Sequence, residues 1–447
     1  MLRIAVVGSG PSGCYTAQGL VQQHPGVFVD VLDRLPCPYG LVRYGVAPDH
    51  EKIKSLQSTL RTVLEHERVR FLGGVPVGPD GVPVARLREL YHAVVYCVGA
   101  ATDRRLGIAG EDLPGSWSAT EFVSWYSAHP DAAVDGFLTG ARSAVVIGVG
   151  NVAVDVTRML ARGAAELSPT DIPHAALTAL AASRVSEISM VGRRGPSQAR
   201  FTTKELRELG TLPDTAVSVD PRELAMDPAC ADPGALPASQ RRNVEVLRDW
   251  AGAPARAARH RVRLRFFLRP VELLAREGRV GAVRFERTAP DGEGGVRGTG
   301  RFEDVAAQLV LRSVGYRGVS LEGLPFDPAT GTVPHRAGRV LRDGAVVPGE
   351  YVAGWIKRGP TGVIGTNRPC AKETVASLLT DAAALERGPV LDEPVTALRA
   401  AGIDPVPWEG WRAIERAEAE LGASLGRDTV KLPDWRSLMN AAQGDTP

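Results

Sequence analysis

Two glycine turns, one aspartate and a pair of arginines are the residues in this chain whose types and spacing suit chemistry. GSGPSG at 8–13 places Gly8, Gly10 and Gly13 in a G-x-G-x-x-G pattern directly after the apolar run IAVV. In such a turn the first glycine permits a tight exit from a strand, the second lets backbone approach a pyrophosphate, and the third admits close packing of the next helix. That helix is expected to begin near Pro11 or Ser12, with its unpaired N-terminal amides directed at phosphate oxygens. A second apolar run, VFVDVL at 27–32, ends at Asp33. A carboxylate at this spacing binds ribose hydroxyls and repels a 2′-phosphate, which points to FAD or NAD without distinguishing them.

The second turn follows AVVI at 144–147, where Gly148, Gly150 and Ala153 fill a G-x-G-x-x-A pattern. Val152, Val156 and Leu160 are expected on the buried side of the helix that follows, and Asn151 either contacts a ligand or caps that helix. EISMV at 187–191 ends in GRRGP, so Arg193 and Arg194 fall where the adenosine ribose of a second dinucleotide would lie. Adjacent guanidinium groups there suit a 2′-phosphate and favour NADPH over NADH; a solvated surface is the alternative. The long interval between the second turn and the arginines implies inserted material at 163–184. FTTKELREL at 201–209 reads as the start of another helix, with Glu205 and Arg207 open to either a site or a surface role.

The elements that must hold these residues read as α/β. YHAVVYCVGA at 91–100 supplies another buried strand, and the Pro/Gly/aromatic block PCPYGLVRYGVAPDH at 36–50 is either a cofactor cover or a structural loop. Residues 214–260 show short polar turns and a helical stretch near 240–251. VRLRFFL at 262–268, with 271–274 and 280–286, reads as a smaller antiparallel layer, and 292–300 as a Gly-rich loop. LVLRSV at 309–314 is a further strand. The 351–385 segment then gives strand, glycine loop and helix, with Gly359, Gly362 and Gly365 able to approach a ligand and the helix expected to begin near Ala371 or Lys372. A βα packing junction is the alternative for that loop.

Composition bounds the class. The chain has 447 residues, enough for two or three domains, and its 53 basic and 51 acidic side chains nearly cancel, so gross charge gives no reason to expect a nucleic-acid binder. Five scattered cysteines form no CxxC pair and no cluster spaced for zinc or iron-sulfur ligation, so redox chemistry would need a bound organic cofactor. The early apolar strand at Ile4 and the lack of a spanning apolar segment lead us to expect a cytoplasmic protein without leader or membrane span.

Taken together, GSGPSG, PYGLVRYGVAPDH, GEDLPGS, GVGNVAVDV, VGRRGP, FTTKELREL, RSVGYRG and GWIKRGPTGVIGTN resemble the adrenodoxin reductase family, in particular its bacterial NADPH:ferredoxin reductases, over residues 1 to 385. The resemblance implies two Rossmann-like three-layer domains, with an NADPH domain (102–318) inserted into a discontinuous FAD domain (1–101 and 319–385); residues 386–447 would form an extension packed on the FAD domain. It assigns Gly13, Asp33, Leu41, Val77, Trp355 and the backbone of Gly362, Val363 and Ile364 to FAD. Asn151, Arg193, Arg194 and Glu205 match its pyridine-nucleotide site, and Gly362 lies where flavin and nicotinamide meet. Asp33 stands where Glu is more familiar, and Val149 where Asn is frequent. In the extension, Trp411, Ile414, Ala417 and Leu421 would share the apolar face of a helix at 408–426.

The implied activity is hydride transfer from NADPH to FAD followed by one-electron transfers to an iron-sulfur protein. No catalytic side chain is required, so neither His50 nor Lys357 is assigned as a general acid. The expected partners are NADPH and a ferredoxin or related carrier, among whose uses is a cytochrome P450 system; the expected state is a monomer, with no nucleic acid, membrane or metal. Arg43, Lys52, Lys357 and Arg358 are docking candidates for an acidic carrier, with ordinary solubilising charge as the alternative. Rival readings are a diaphorase or electron-input subunit of a synthase or oxygenase, and a non-enzymatic nucleotide-responsive module. The missing CxxC disfavours a disulfide reductase.

Overall fold

Leu2, Ile4 and Val6 face one hydrophobic cluster and Ala5 and Val7 face another, so the first strand is buried on both sides. Continuous apolar runs of this kind are what a parallel sheet covered on both faces demands. The computed structural model describes residues 1–132, 136–254, 256–385 and 392–444. Two compact units emerge: Met1–Thr102, Ser127–Asp131 and Gly315–Pro447 form one, and Asp103–Tyr126 with Ala132–Val314 form the other. The expected junction at 386 lies outside the described residues.

The first unit contains a seven-stranded sheet in the order 335–336, 339–342, 345–352, 93–96, 2–7, 27–32, 69–72. Strands Leu2–Val7, Val27–Leu32, Val69–Leu72, Ala93–Tyr96 and Ala345–Val352 pair in parallel, and the shorter strands at 335–342 add antiparallel hairpins. Helix Pro11–Gln23 leaves the first strand through the glycine turn and packs on helix Asn367–Leu385. The latter begins at Asn367 rather than near residue 371, because Pro369 in the first turn needs no hydrogen-bonded N–H and the helix runs through it.

Helix Trp408–Ser424 places Trp411 and Ile414 in the first unit's core, with Leu438 of helix Trp435–Gln443. Ala417 and Leu421 are only half-buried; Glu418 takes the buried position on that face. Its carboxylate receives Arg43 Nη2 at 2.6 Å and Nη1 at 3.2 Å, and Leu432 N at 2.9 Å. The Arg43 guanidinium lies 4.9 Å from the ring centroids of both Tyr44 and Trp411, and Lys431 Nζ donates to Arg43 O at 2.7 Å. The Pro/Gly/aromatic block at 36–50 is thereby fastened to the C-terminal segment.

The second unit has a six-stranded sheet in the order 116–118, 309–312, 143–147, 187–191, 260–265, 215–219, all of whose pairings are parallel. Three expectations are corrected here. Thr215–Val219 is a strand rather than turns. VRLRFFL divides: His260–Arg265 joins the parallel sheet, and after Phe267, at φ +58°, Leu268–Arg276 opens the antiparallel layer. Val296–Ala306 is the third strand of that layer and takes up half of the expected loop, because ladder hydrogen bonds come from backbone and tolerate its glycines. Leu268, Leu273, Val280, Val283 and Phe285 seal the layer against Val145, Ile147, Val191 and Val310. Among the described residues, no helix is long and apolar enough to cross a membrane.

Candidate functional site

Gly8 adopts φ +108°, and a Cβ there would sit 2.6 Å from Cys97 O, so this position admits no side chain. A Cβ on Gly13 would overlap Gly8 O, which makes the third glycine a packing requirement. Gly10 differs. Its added Cβ would meet only Gly40 Cα at 3.8 Å, so the middle glycine faces space rather than protein. No side chain caps the helix Pro11–Gln23, whose first amides stay available to an anion.

Four further segments border this turn. Asp33 Oδ2 accepts from Ser9 N at 2.8 Å and Ser9 Oγ at 2.5 Å, and Oδ1 accepts from Leu35 N at 2.9 Å. Burial raises the Asp33 carboxyl above its ordinary value, while the bonds from Ser9 and Leu35 oppose that rise. Gly40 approaches Gly10 and leads into helix Leu41–Tyr44, where Leu41 is 40% exposed. Gly354 abuts Ser12 and leads into helix Trp355–Arg358, whose Trp355 Nε1 and Arg358 Nε are buried polar atoms without a partner among the described residues. Val98, beside Gly8, is also exposed.

Past Gly362, at φ +80°, Val363 is 60% exposed and Ile364 packs on the core. Val77 packs on the opposite cluster of the sheet, and two residues before it Val75 N donates to Asp33 O at 2.8 Å, which ties this segment to the end of the second strand. Orphaned indole and guanidinium donors, a cradle at Gly10 and exposed apolar side chains on neighbouring loops fit a large, partly apolar dinucleotide such as FAD. The Cys97 thiol, pushed up by burial to about 12, is unsuited to nucleophilic chemistry.

The second turn repeats the arrangement. Gly148 adopts φ +144° and a Cβ there would overlap Ser313 O, whereas a Cβ on Gly150 would meet nothing within 4 Å. Ala153, Val156 and Leu160 are buried in helix Asn151–Ala161, but Val152 is only half-buried, contrary to expectation. Asn151 does not cap its own helix. Its Oδ1 accepts from Thr202 N at 2.8 Å, tying the turn to the start of helix Thr203–Gly210.

The GRRGP loop has a fixed backbone. Gly192 O, Arg193 O and Arg194 O accept from Leu268 N at 3.1 Å, Thr288 Oγ1 at 2.8 Å and Phe267 N at 3.1 Å. Arg193 is exposed and Arg194 half-buried. Glu205 is buried, 3.4 Å from the wholly buried Arg158, which also reaches Asp155 at 2.9 Å and Glu208 at 3.5 Å.

With both sites described, comparison with known proteins is decisive. The chain is 39% identical to the NADPH:adrenodoxin oxidoreductase of Arabidopsis thaliana mitochondria, covering 99% of this chain and 95% of that one. The chain belongs to the adrenodoxin reductase family. The NADPH-ferredoxin reductase FprA of Mycobacterium tuberculosis is 43% identical over 99% of both chains. The structure of that species' FprA in complex with NADPH superposes with a TM-score of 0.92 at 42% identity, over 99% of this chain and 100% of that one. No protein-family model matches the chain.

For this member of the family, two docking candidates are corrected. Arg43 is 3% exposed and held by Glu418, and Lys357 is 5% exposed with its Nζ 2.6 Å from Glu373 and 3.0 Å from Thr374 Oγ1. Neither is a surface charge; Lys52 remains exposed, and Arg358 is half-buried against Asn367 and Thr361 O. Sequence reasoning also missed Ser9, Gly40 and Gly354. Ser9 lies inside the glycine turn and its hydroxyl was a readable signal, whereas the two glycines gain meaning only when remote segments meet.

Proposed function

We propose that this protein is an FAD-containing NADPH:ferredoxin oxidoreductase, one in which two dinucleotides are told apart by the charge at the end of each glycine-turn unit. The carrying observation is Asp33 beside the first turn against Arg193 and Arg194 in the loop after the second. In this reading Gly8, Gly10, Gly13 and Asp33 hold the adenosine diphosphate half of FAD, and Leu41, Val77, Trp355, Gly362, Val363 and Ile364 border the rest. Gly148, Gly150, Asn151, Val152 and Ala153 take the NADPH pyrophosphate, Arg193 and Arg194 its 2′-phosphate, and Glu205 serves the same site. Held by these residues, FAD would supply the chemistry of hydride acceptance from the nicotinamide and one-electron delivery to an iron-sulfur partner.

The chain's own work is binding and orientation. Asp33, already fixed by Ser9 and Leu35, offers its remaining acceptor capacity to ribose hydroxyls. Helix amides at 12–13 and 151–153 face phosphate charge, and exposed Leu41, Val98 and Val363 give apolar surface that keeps water from a bound ring. FprA in complex with NADPH, and the ferredoxin and adrenodoxin in the relatives' names, support this assignment. A monomeric, cytoplasmic enzyme feeding carriers such as those of cytochrome P450 systems completes the reading.

The test replaces Arg193 and Arg194 together with alanine. Losing charge-assisted bonds of about 1.5–3 kcal/mol should raise the NADPH KM by roughly 10- to 100-fold. The NADH KM should move less than about twofold, since NADH carries no 2′-phosphate to lose. An unchanged NADPH preference would remove the arginines from the site.

A further inference from the structure

Arg200 lies outside the GRRGP motif and on the far side of the short helical turn Pro196–Gln198, yet the fold returns it to the second glycine turn. Its backbone N–H donates to Val149 O at 2.8 Å, the carbonyl between Gly148 and Gly150. Two residues later Thr202 N donates to Asn151 Oδ1 at 2.8 Å, so the 200–202 segment is laced to the glycine turn at two points. Gly192, at the opening of the arginine loop, packs on the other side of the same residue: a Cβ there would lie 3.0 Å from Val149 Cγ1. Val149 therefore joins the two arginine-bearing segments.

Among the described residues, none of Arg193, Arg194 and Arg200 forms an ion pair, in a chain whose other arginines are widely paired with carboxylates. Arg194 is held below its ordinary value by burial first, then by the Arg200 charge and then by the Arg193 charge. Arg200, six residues on in the chain, is thus close enough for its charge to act on Arg194 alongside that of Arg193. Arg193 and Arg200 are exposed and Arg194 is half-buried, and the like charges that act on Arg194 favour an anion beside it.

We propose that Arg200 is a third 2′-phosphate ligand and a specificity-determining residue for NADPH, completing a three-arginine cage whose third member comes from the segment laced to the second glycine turn. The proposal rests on the assignment of Arg193 and Arg194 to that phosphate. A dianionic phosphomonoester has three terminal oxygens, enough for one guanidinium from each arginine. Backbone anchoring at 200 fixes the origin of the side chain, so the third charge is presented from a defined direction rather than from a mobile loop.

The experiment measures equilibrium binding of adenosine 2′,5′-bisphosphate and adenosine 5′-monophosphate to the flavin-loaded protein. The variants are Arg200→Ala, Arg200→Lys and Arg193→Ala/Arg194→Ala. Alanine at 200 keeps the backbone bond to Val149. It should weaken the bisphosphate by about fivefold or more, the effect of one partly exposed charge contact, and leave the monophosphate within about twofold. The bisphosphate affinity should also fall less steeply with added salt, and lysine should restore part of the loss. Equal discrimination by Arg200→Ala and the parent, with the salt dependence unchanged, overturns the proposal. If the double variant loses discrimination in that case, the assignment of Arg193 and Arg194 stands without Arg200; if the double variant discriminates normally, that assignment falls instead.

Discussion

The three glycines of each turn do different work, and the difference is measurable at single residues. A Cβ on Gly13 would overlap Gly8 O, so Gly13→Ala forces the first helix away from its strand and should cost about 3 kcal/mol or more. Thermal unfolding of the flavin-free protein reads this, and an unchanged Tm would contradict it. Gly150→Ala meets no protein atom within 4 Å, so its stability should match the parent within about 0.5 kcal/mol. Its methyl group instead enters the space kept for a pyrophosphate, and the NADPH KM should rise by roughly tenfold or more. Wild-type KM in a stable Gly150→Ala protein would show that the second turn does not face the nucleotide.

Among the elements, the segment with a buried consequence is the one that sequence periodicity described least well. The apolar face of helix Trp408–Ser424 was readable through Trp411 and Ile414, but the residue that decides its docking is Glu418, an acid that pattern reasoning places in solvent. Its partner Arg43 reads equally naturally as surface charge. Removing one member of such a pair leaves the other buried and uncompensated, so Glu418→Gln should lower stability by about 3–5 kcal/mol. It should also loosen the Leu41–Tyr44 helix and raise the fraction of protein isolated without flavin. Replacing both partners, Arg43→Met with Glu418→Leu, should recover most of the stability; a double variant as unstable as the single one would contradict a pairwise origin.

The same physics separates what the sequence reveals from what it hides. IAVV is legible as an unbroken apolar run, and VFVDVL as one interrupted only by Asp30, because burial on both faces demands apolar side chains, whereas TAVSV at 215–219 is an edge strand with mixed burial and looks like turn. VRLRFFL reads as one strand because a single left-handed residue, Phe267, leaves no trace in hydrophobicity. Local site chemistry was visible as glycine spacing, Asp33 and the arginine pair. Gly40 against Gly10, Gly354 against Ser12 and Arg200 against Val149 were not, since each depends on segments distant in sequence meeting in space.

The whole molecule converts between electron currencies: a two-electron donor enters and a one-electron carrier leaves. Neither unit alone expresses that, because the acid-terminated turn belongs to one unit and the arginine-terminated turn to the other. The most direct measurement is anaerobic rapid mixing of the flavin-loaded protein with NADPH and excess oxidised ferredoxin, following both nucleotide oxidation and ferredoxin reduction. The account predicts that each NADPH consumed yields two reduced ferredoxins, and that NADH at equal concentration works roughly tenfold or more slowly. NADPH oxidation that leaves every offered ferredoxin oxidised would contradict it.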